Sequence, residues 1–267
     1  MTTATKIDHA QPRDETQIRI GVVVPFPTPT GKAQPKQRPA SGATAYPRTK
    51  LAARMFMDAL DYRKAFENRL RGGIEPPHVD LAKDAINAGE RAMRRALRDS
   101  LRAEVDPAIL DWQKNTVGIG EHTLGLLLGA TGHPVHATRY RWEGEGTDRV
   151  LIEDGPITRR VSDLWSYCGH GDPTRRRAKG MTAHQAAALG NPQAKLATYL
   201  LAEACMKSTA SPYRQVYVDA RERYATRDGW TPGHQHAAAL RLTGKTILKD
   251  LWVIAGGSHA ITKEVTP

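Results

Sequence analysis

Between residues 47 and 104 the apolar side chains recur with a helical repeat, which rules out a sheet for this part of the chain. Leu51, Met55, Ala59, Tyr62, Phe66 and Leu70 follow one another at steps of three and four, the spacing of one helix face. Gly72 and Gly73 end the run, and Pro76 and Pro77 fix a turn. Val79, Ala82, Ile86, Met93 and Leu97 then resume the spacing. Two such stretches joined by a Gly/Pro turn predict an antiparallel, coiled-coil-like helical hairpin over 47–104. Its second arm carries Arg91, Arg94, Arg95, Arg98 and Arg102. These read either as a solvated helix face or as a stripe facing phosphates.

The remainder is also mainly helical. Asp106 as N-cap and Pro107 at the first helical position open a short helix. Gly118-Ile119-Gly120 interrupts it, and a second helix is predicted over 121–130. From 134 to about 156 the chain is polar and glycine-dotted, read as a loop with short strand-like pieces. A short helix, a basic loop and three helices near 192–208, 212–227 and 233–255 follow. The last is apolar along Ala238, Leu242, Ile247, Leu248, Leu251 and Trp252, with Lys245 and Lys249 on its other side. Residues 1–46, with one β-like run at Ile18–Val24 before a proline-rich basic stretch, read as a disordered tail, and 258–267 as a second one. The fold class is mainly α: the hairpin, then a helical domain over 105–257 with a basic loop.

Charge narrows the partners. The 267 residues carry a formal net charge of +11, which favours polyanions. Nucleic acid comes first among these and an anionic membrane surface second. No apolar run approaches the roughly 20 residues of a membrane span, so no membrane partner is expected. The start lacks the apolar core of a signal peptide, and two cysteines are too few for a disulfide framework. Both features predict a cytoplasmic protein.

The glycines at 118 and 120 suggest how a polyanion could be held. Glycine reaches positive φ and permits close approach. Before a helix start, it leaves N–H groups outward where the helix already presents unpaired donors and partial positive charge, a setting suited to phosphate. Val117, Gly118, Ile119, Gly120 and Thr123 together resemble a helix-hairpin-helix element, a class that grips the DNA backbone without reading sequence. The resemblance implies that Ile119 points inward and the glycine amides face out. The plainer reading is a turn that joins two packed helices.

Downstream residues extend the likeness. Leu164, Tyr167, Gly169, Pro173, Gly190, Asn191, Leu196, Leu200 and Ala204 follow in an order similar to the C-terminal domain of DEDD-type insertion-sequence transposases, the bridge-RNA-guided recombinases. The resemblance spans about 105–255, and the hairpin stands where that family has its coiled coil. Two departures qualify it. The family's RNase-H-like half, with its four acidic metal ligands, has no counterpart before the hairpin, and this chain offers no convergent carboxylate cluster. The family's nucleophilic serine falls on Ala178, before Gly180, and a methyl group cannot attack phosphorus. Thr174 or Thr182 could replace it only with the loop re-registered. Arg175, Arg176, Arg177, Lys179 and Lys195 remain to hold phosphates.

The resulting expectation is a DNA-binding protein without its own strand-transfer activity, associated with the nucleoid when bound. It needs no cofactor and no metal. RNA is the second candidate partner, and a homodimer through 48–102 the third. Two enzymes stay open. One is an active recombinase using Thr174 or Thr182 with a metal site from a partner chain. The other is a helix-hairpin-helix DNA glycosylase using Asp148 or Asp154 near Trp142. Arg139, Tyr140, Arg141 and Trp142 could stack on unpaired bases or simply pack. His133 with His136, His234 with His236, and Cys168 with His170 lack the matching second pair of a zinc site. Cys168 has no evident base.

Overall fold

A computed structural model of the chain describes residues 45–73, 77–144, 150–172, 178–181, 185–186 and 189–258. The expected tails at 1–44 and 259–267, with the run Ile18–Val24, lie outside these residues. Among the described residues are eight helices and one two-stranded sheet, so the fold is mainly α. They belong to a single unit of contacts, Arg38–Pro267.

Helices α1 (Pro47–Leu70) and α2 (Val79–Glu104) form the hairpin. Pro47 supplies the fixed φ suited to a first helical turn, but α1 has no cap of its own. Its cap comes from the far end of the partner helix. The Glu104 carboxylate accepts from the N–H groups of Arg48 and Thr49, each at 2.8 Å, and from Thr49 Oγ1 at 3.0 Å. Orphan donors are thereby satisfied, and a negative charge sits at the positive end of α1. The Asp106 side chain does not cap α3 (Pro107–Asn115) as its position predicts. It accepts instead from the Tyr46 hydroxyl at 2.8 Å and meets His133 Nε2 at 3.2 Å. Tyr46, placed by the sequence at the end of the tail, is buried.

Three of the six side chains in the apolar stripe on α1 face out, contrary to the simplest reading of its periodicity, while Ala59, Phe66 and Leu70 are half-buried. Leu51 is 60%, Met55 43% and Tyr62 58% exposed, while Thr49, Ala52, Ala53 and Phe56 are buried. Small residues win the interface because they let backbones approach. A Cβ on Gly129 of α4 (Glu121–Thr131) would lie 2.5 Å from that of Ala53, and one on Gly125 would lie 3.1 Å from Leu97 of α2. Gly125 and Gly129, one turn apart, thus form the seat for both arms of the hairpin.

After α4 the loop of strand-like pieces is a hairpin, β1 (His136–Glu143) against β2 (Val150–Thr158), antiparallel, with a register shift at Arg139/Tyr140. Then come α5 (Val161–Tyr167), α6 (Pro192–Lys207), α7 (Pro212–Ala225) and α8 (Pro232–Ile254). Asn191 caps α6, accepting from Gln193 N at 2.9 Å and Ala194 N at 3.2 Å. One core joins these parts: Leu101, Ile109, Ile119, Leu124, Leu128, Leu164, Leu201, Ile247, Leu248 and Leu251 are buried together. Each such side chain contributes about 2 kcal/mol by leaving water. No helix among the described residues is long and apolar enough to cross a membrane.

Candidate nucleic-acid interface

The turn between α3 and α4 is built from the inside out. Ile119 is buried; its N–H donates to Thr116 O at 3.1 Å, and its carbonyl accepts from Gln113 Nε2 at 2.9 Å. Gly118 has φ 98°, and a Cβ there would come within 2.8 Å of both Cα and Sγ of Cys205 on α6. Positive φ and close approach together require glycine at this position. Gly120 differs. Its backbone is extended at φ −73°, it is exposed, and a Cβ would meet only Thr123 Oγ1 at 3.8 Å.

Gly118 therefore fastens the turn to α6, and Gly120 leaves space at the start of α4. As N-cap it brings no side-chain oxygen to the first amides of that helix, which keeps their donor capacity for another partner. Glu121, the first residue of α4, lies at the same end. Its carboxylate is bound by Arg102 of α2 through Nε and, at 2.9 Å, through Nη2. Thr123 is half-buried beneath the turn.

A second basic feature lies where α5, α6 and α8 meet. Lys195, in the first turn of α6, is exposed, and its Cδ would be 2.9 Å from a Cβ on Gly169. Arg241 of α8 donates through Nη2 to the carbonyls of His170, at 2.8 Å, and Gly171, at 2.7 Å. One turn on, Lys245 Nζ lies 4.0 Å from the centre of the Trp165 ring, whose indole N–H donates to the Lys245 carbonyl at 2.9 Å. The His170 N–H donates to Trp165 O at 2.8 Å. His170 is buried at 6% exposure, and its Nε2 has no hydrogen-bond partner among the described residues. Burial, and then the charges of Arg241, Lys195 and Lys245, push its pKa down to about 4. Burial and the neighbouring Arg241 also lower that of Lys245.

The other sequence-derived candidates divide cleanly. Ala178, Lys179 and Gly180 are exposed, and Ala178 presents a methyl group. Thr174, Arg175, Arg176, Arg177 and Thr182 lie outside the described residues, as does Asp148. On α2, Arg94 is bound to Glu90 at 3.0 Å and lies over the Phe56 ring, while Arg91 and Arg95 are exposed. Arg141 meets Glu143 and Asp154, both at 3.6 Å. His133 Nδ1 accepts from the N–H groups of Val135 and His136, and His236 Nδ1 pairs with the Tyr217 hydroxyl at 2.7 Å. Cys168 is buried, and burial pushes its thiol up to about 12, the range of an inert thiol. Among the described residues no group of three or more His, Cys, Asp or Glu side chains could hold a metal ion.

Sequence reasoning missed Trp165, His170, Arg241 and Lys245 as one corner. A partial signal existed, because Arg241, Lys245 and Lys249 recur at steps of four along the last helix. It also missed a basic-aromatic tip after α7. There the Arg227 guanidinium lies 4.9 Å from the Tyr224 ring and 4.8 Å from the Trp230 ring. No protein-family model matches the chain, and neither a curated protein nor a solved structure matches it.

Proposed function

We propose that this protein binds the backbone of nucleic acid, DNA before RNA, without reading its sequence and without cutting it. The turn at 117–120 carries the reading: Ile119 is buried, Gly118 is locked to Cys205, and Gly120 leaves the first amides of α4 without a side-chain cap. That is the arrangement a helix-hairpin-helix uses to present N–H donors to phosphate. The net charge of +11 supplies the long-range attraction. The likeness to the transposase C-terminal domain supports the same reading, and Ala178 in the serine position supports a role in holding rather than in strand transfer.

Salt tests it. If about six phosphates are neutralised, affinity for a 20-base-pair duplex falls about a thousandfold between 50 and 200 mM salt. An affinity flat over that range ends the proposal. Gly120→Asp tests the turn itself. Aspartate is a favoured N-cap in the extended backbone found there, so Tm holds or rises. Its charge repels phosphate and its oxygen occupies a donor, so duplex affinity drops about tenfold. Gly120→Ala, which brings neither oxygen nor charge and whose Cβ meets only Thr123 Oγ1 at 3.8 Å, stays near wild type. Equal affinity in all three proteins would make the turn mere architecture.

A second copy of the chain is a further proposed partner, because Leu51, Met55 and Tyr62 form an exposed apolar stripe on α1. Sedimentation of the wild type against Leu51→Glu/Met55→Glu reads it directly. A wild type that stays monomeric at 100 µM would exclude it.

A further inference from the structure

We infer that the corner between α5, α6 and α8 is a phosphate-binding site, with the Lys195 and Lys245 ammonium groups as its charge and the His170 ring as its inner donor. The assignment rests on the reading of this protein as a polyanion binder and says where one phosphate is held.

Three cations act on one imidazole here. Lys195 lies beside Gly169, Arg241 spans the carbonyls of His170 and Gly171, and Lys245 stands over Trp165 one helical turn from Arg241. Among the described residues no carboxylate is within ion-pair distance of any of them. Like charges drawn together in a folded chain cost free energy unless something negative joins them. The second observation is independent of charge. His170 is more than nine-tenths buried, and its Nε2 has no hydrogen-bond partner among the described residues. A buried nitrogen left in this way loses the bonds it makes in water, and an oxyanion beside it removes that deficit.

The two observations explain each other. Arg241 fixes the loop by its carbonyl contacts, so its positive charge stays in place while the lysine side chains can close on a ligand. With the corner empty, the imidazole is neutral. A dianion reverses the field on the ring, so that His170 takes up a proton and donates it through Nε2. The charged groups acting on the ring are Lys195 from α6 and Arg241 and Lys245 from α8. In its own loop, Cys168 is held neutral, and Asp172 makes a contact of its own. Binding and proton uptake are thus linked: anion affinity rises as pH falls through the His170 pKa of the bound state and levels off below about 4, that of the free state.

The experiment is histidine-ring NMR on the full chain, with His170→Gln used to assign the resonance. Sulfate is the first probe, because its charge is constant between pH 5 and 8. The expected result is a His170 midpoint moved from about 4 toward the ordinary histidine value near 6.5. In Lys195→Gln/Lys245→Gln the sulfate dependence weakens at least tenfold. Inorganic phosphate and a 20-base-pair duplex then separate the sources. A His170 shift with duplex that the double variant abolishes assigns the phosphate to a nucleic-acid backbone. A shift with inorganic phosphate alone assigns it to a small phosphate ligand. If none of the three probes moves the ring, or if the double variant responds like wild type, the site is overturned. Salt-dependent duplex binding would survive that failure, so the two readings fall separately.

Discussion

On the hairpin, Glu90 accepts from Arg63 at 2.6 Å and from Arg94 at 3.0 Å, Glu104 holds the start of α1, and Arg102 is bound by Glu121 of the adjoining α4. At the corner of α5, α6 and α8, Lys195, Arg241 and Lys245 surround His170 with no carboxylate among the described residues paired to them. Both regions are rich in cations, yet only on the hairpin do carboxylates engage several of them. An arginine already bound to a carboxylate must give up that ion pair before it can neutralise a phosphate and release the counterion condensed there, so it contributes little when a polyanion arrives. An unpaired lysine contributes nearly a full unit to the salt dependence. Position in the charge pattern, rather than the number of basic residues, separates closing the fold from holding a ligand.

The largest expected effect breaks the unbalanced side. Lys195→Gln/Lys245→Gln lowers duplex affinity about thirtyfold at 100 mM salt and reduces the slope of log K against log salt by about 2. Fluorescence anisotropy across a salt series measures both. An unchanged slope would mean that the corner does not meet phosphate. On the balanced side the loss appears in stability instead. Glu104→Ala removes the acceptor of two backbone N–H groups and one hydroxyl at the start of α1. Urea denaturation should show a loss of about 1–2 kcal/mol, with duplex affinity unchanged.

Glu90 sharpens the contrast through pH. Burial pushes its carboxyl up, but the hydrogen bonds and charges of Arg63 and Arg94 outweigh this and hold it below the usual value of 4.5. A carboxylate depressed on folding contributes stability that is present above its unfolded pKa and is lost as pH falls through the folded one. Wild type therefore loses this contribution only below about pH 4.5. Glu90→Gln lacks it at every pH, so the two denaturation curves converge toward acid. Parallel curves between pH 3 and 7 would assign the arginine contacts no net effect.

Much of the helical framework was legible because its punctuation is local. Pro107, Pro192, Pro212 and Pro232 each open a helix, and Gly72 follows the end of α1. The face that α1 buries was not legible. Leu51, Met55 and Tyr62 carry the periodic signal, whereas burial follows the fit of Ala53 against Gly129, which hydrophobicity does not record. The same limit applies to Asp106. Its position before Pro107 marks a helix start, but Tyr46 and His133, distant in sequence, claim its carboxylate. The turn was half legible. Two glycines flank Ile119 alike in the sequence, and only the contact with Cys205 shows that one is required by packing and the other is open. The corner at His170 joins residues from 165 to 245, so no local pattern could reveal it.

The smallest effect decides between the two readings of the arginines on α2. Arg94 and Arg102 are engaged by Glu90 and Glu121 and Arg98 is half-buried, which leaves Arg91 and Arg95 as the exposed, unengaged members of the stripe among the described residues. If the stripe is a solvated face, Arg91→Gln/Arg95→Gln changes duplex affinity by no more than about twofold and leaves the salt slope nearly constant, since distant exposed charges are screened. If instead the slope falls by about 2, both arginines meet phosphate, and the interface extends from the turn at Gly120 along the hairpin. The first outcome is expected. Glu90 holds Arg63 and Arg94 and Glu121 of α4 holds Arg102, and a surface built in that way is arranged to hold helices together.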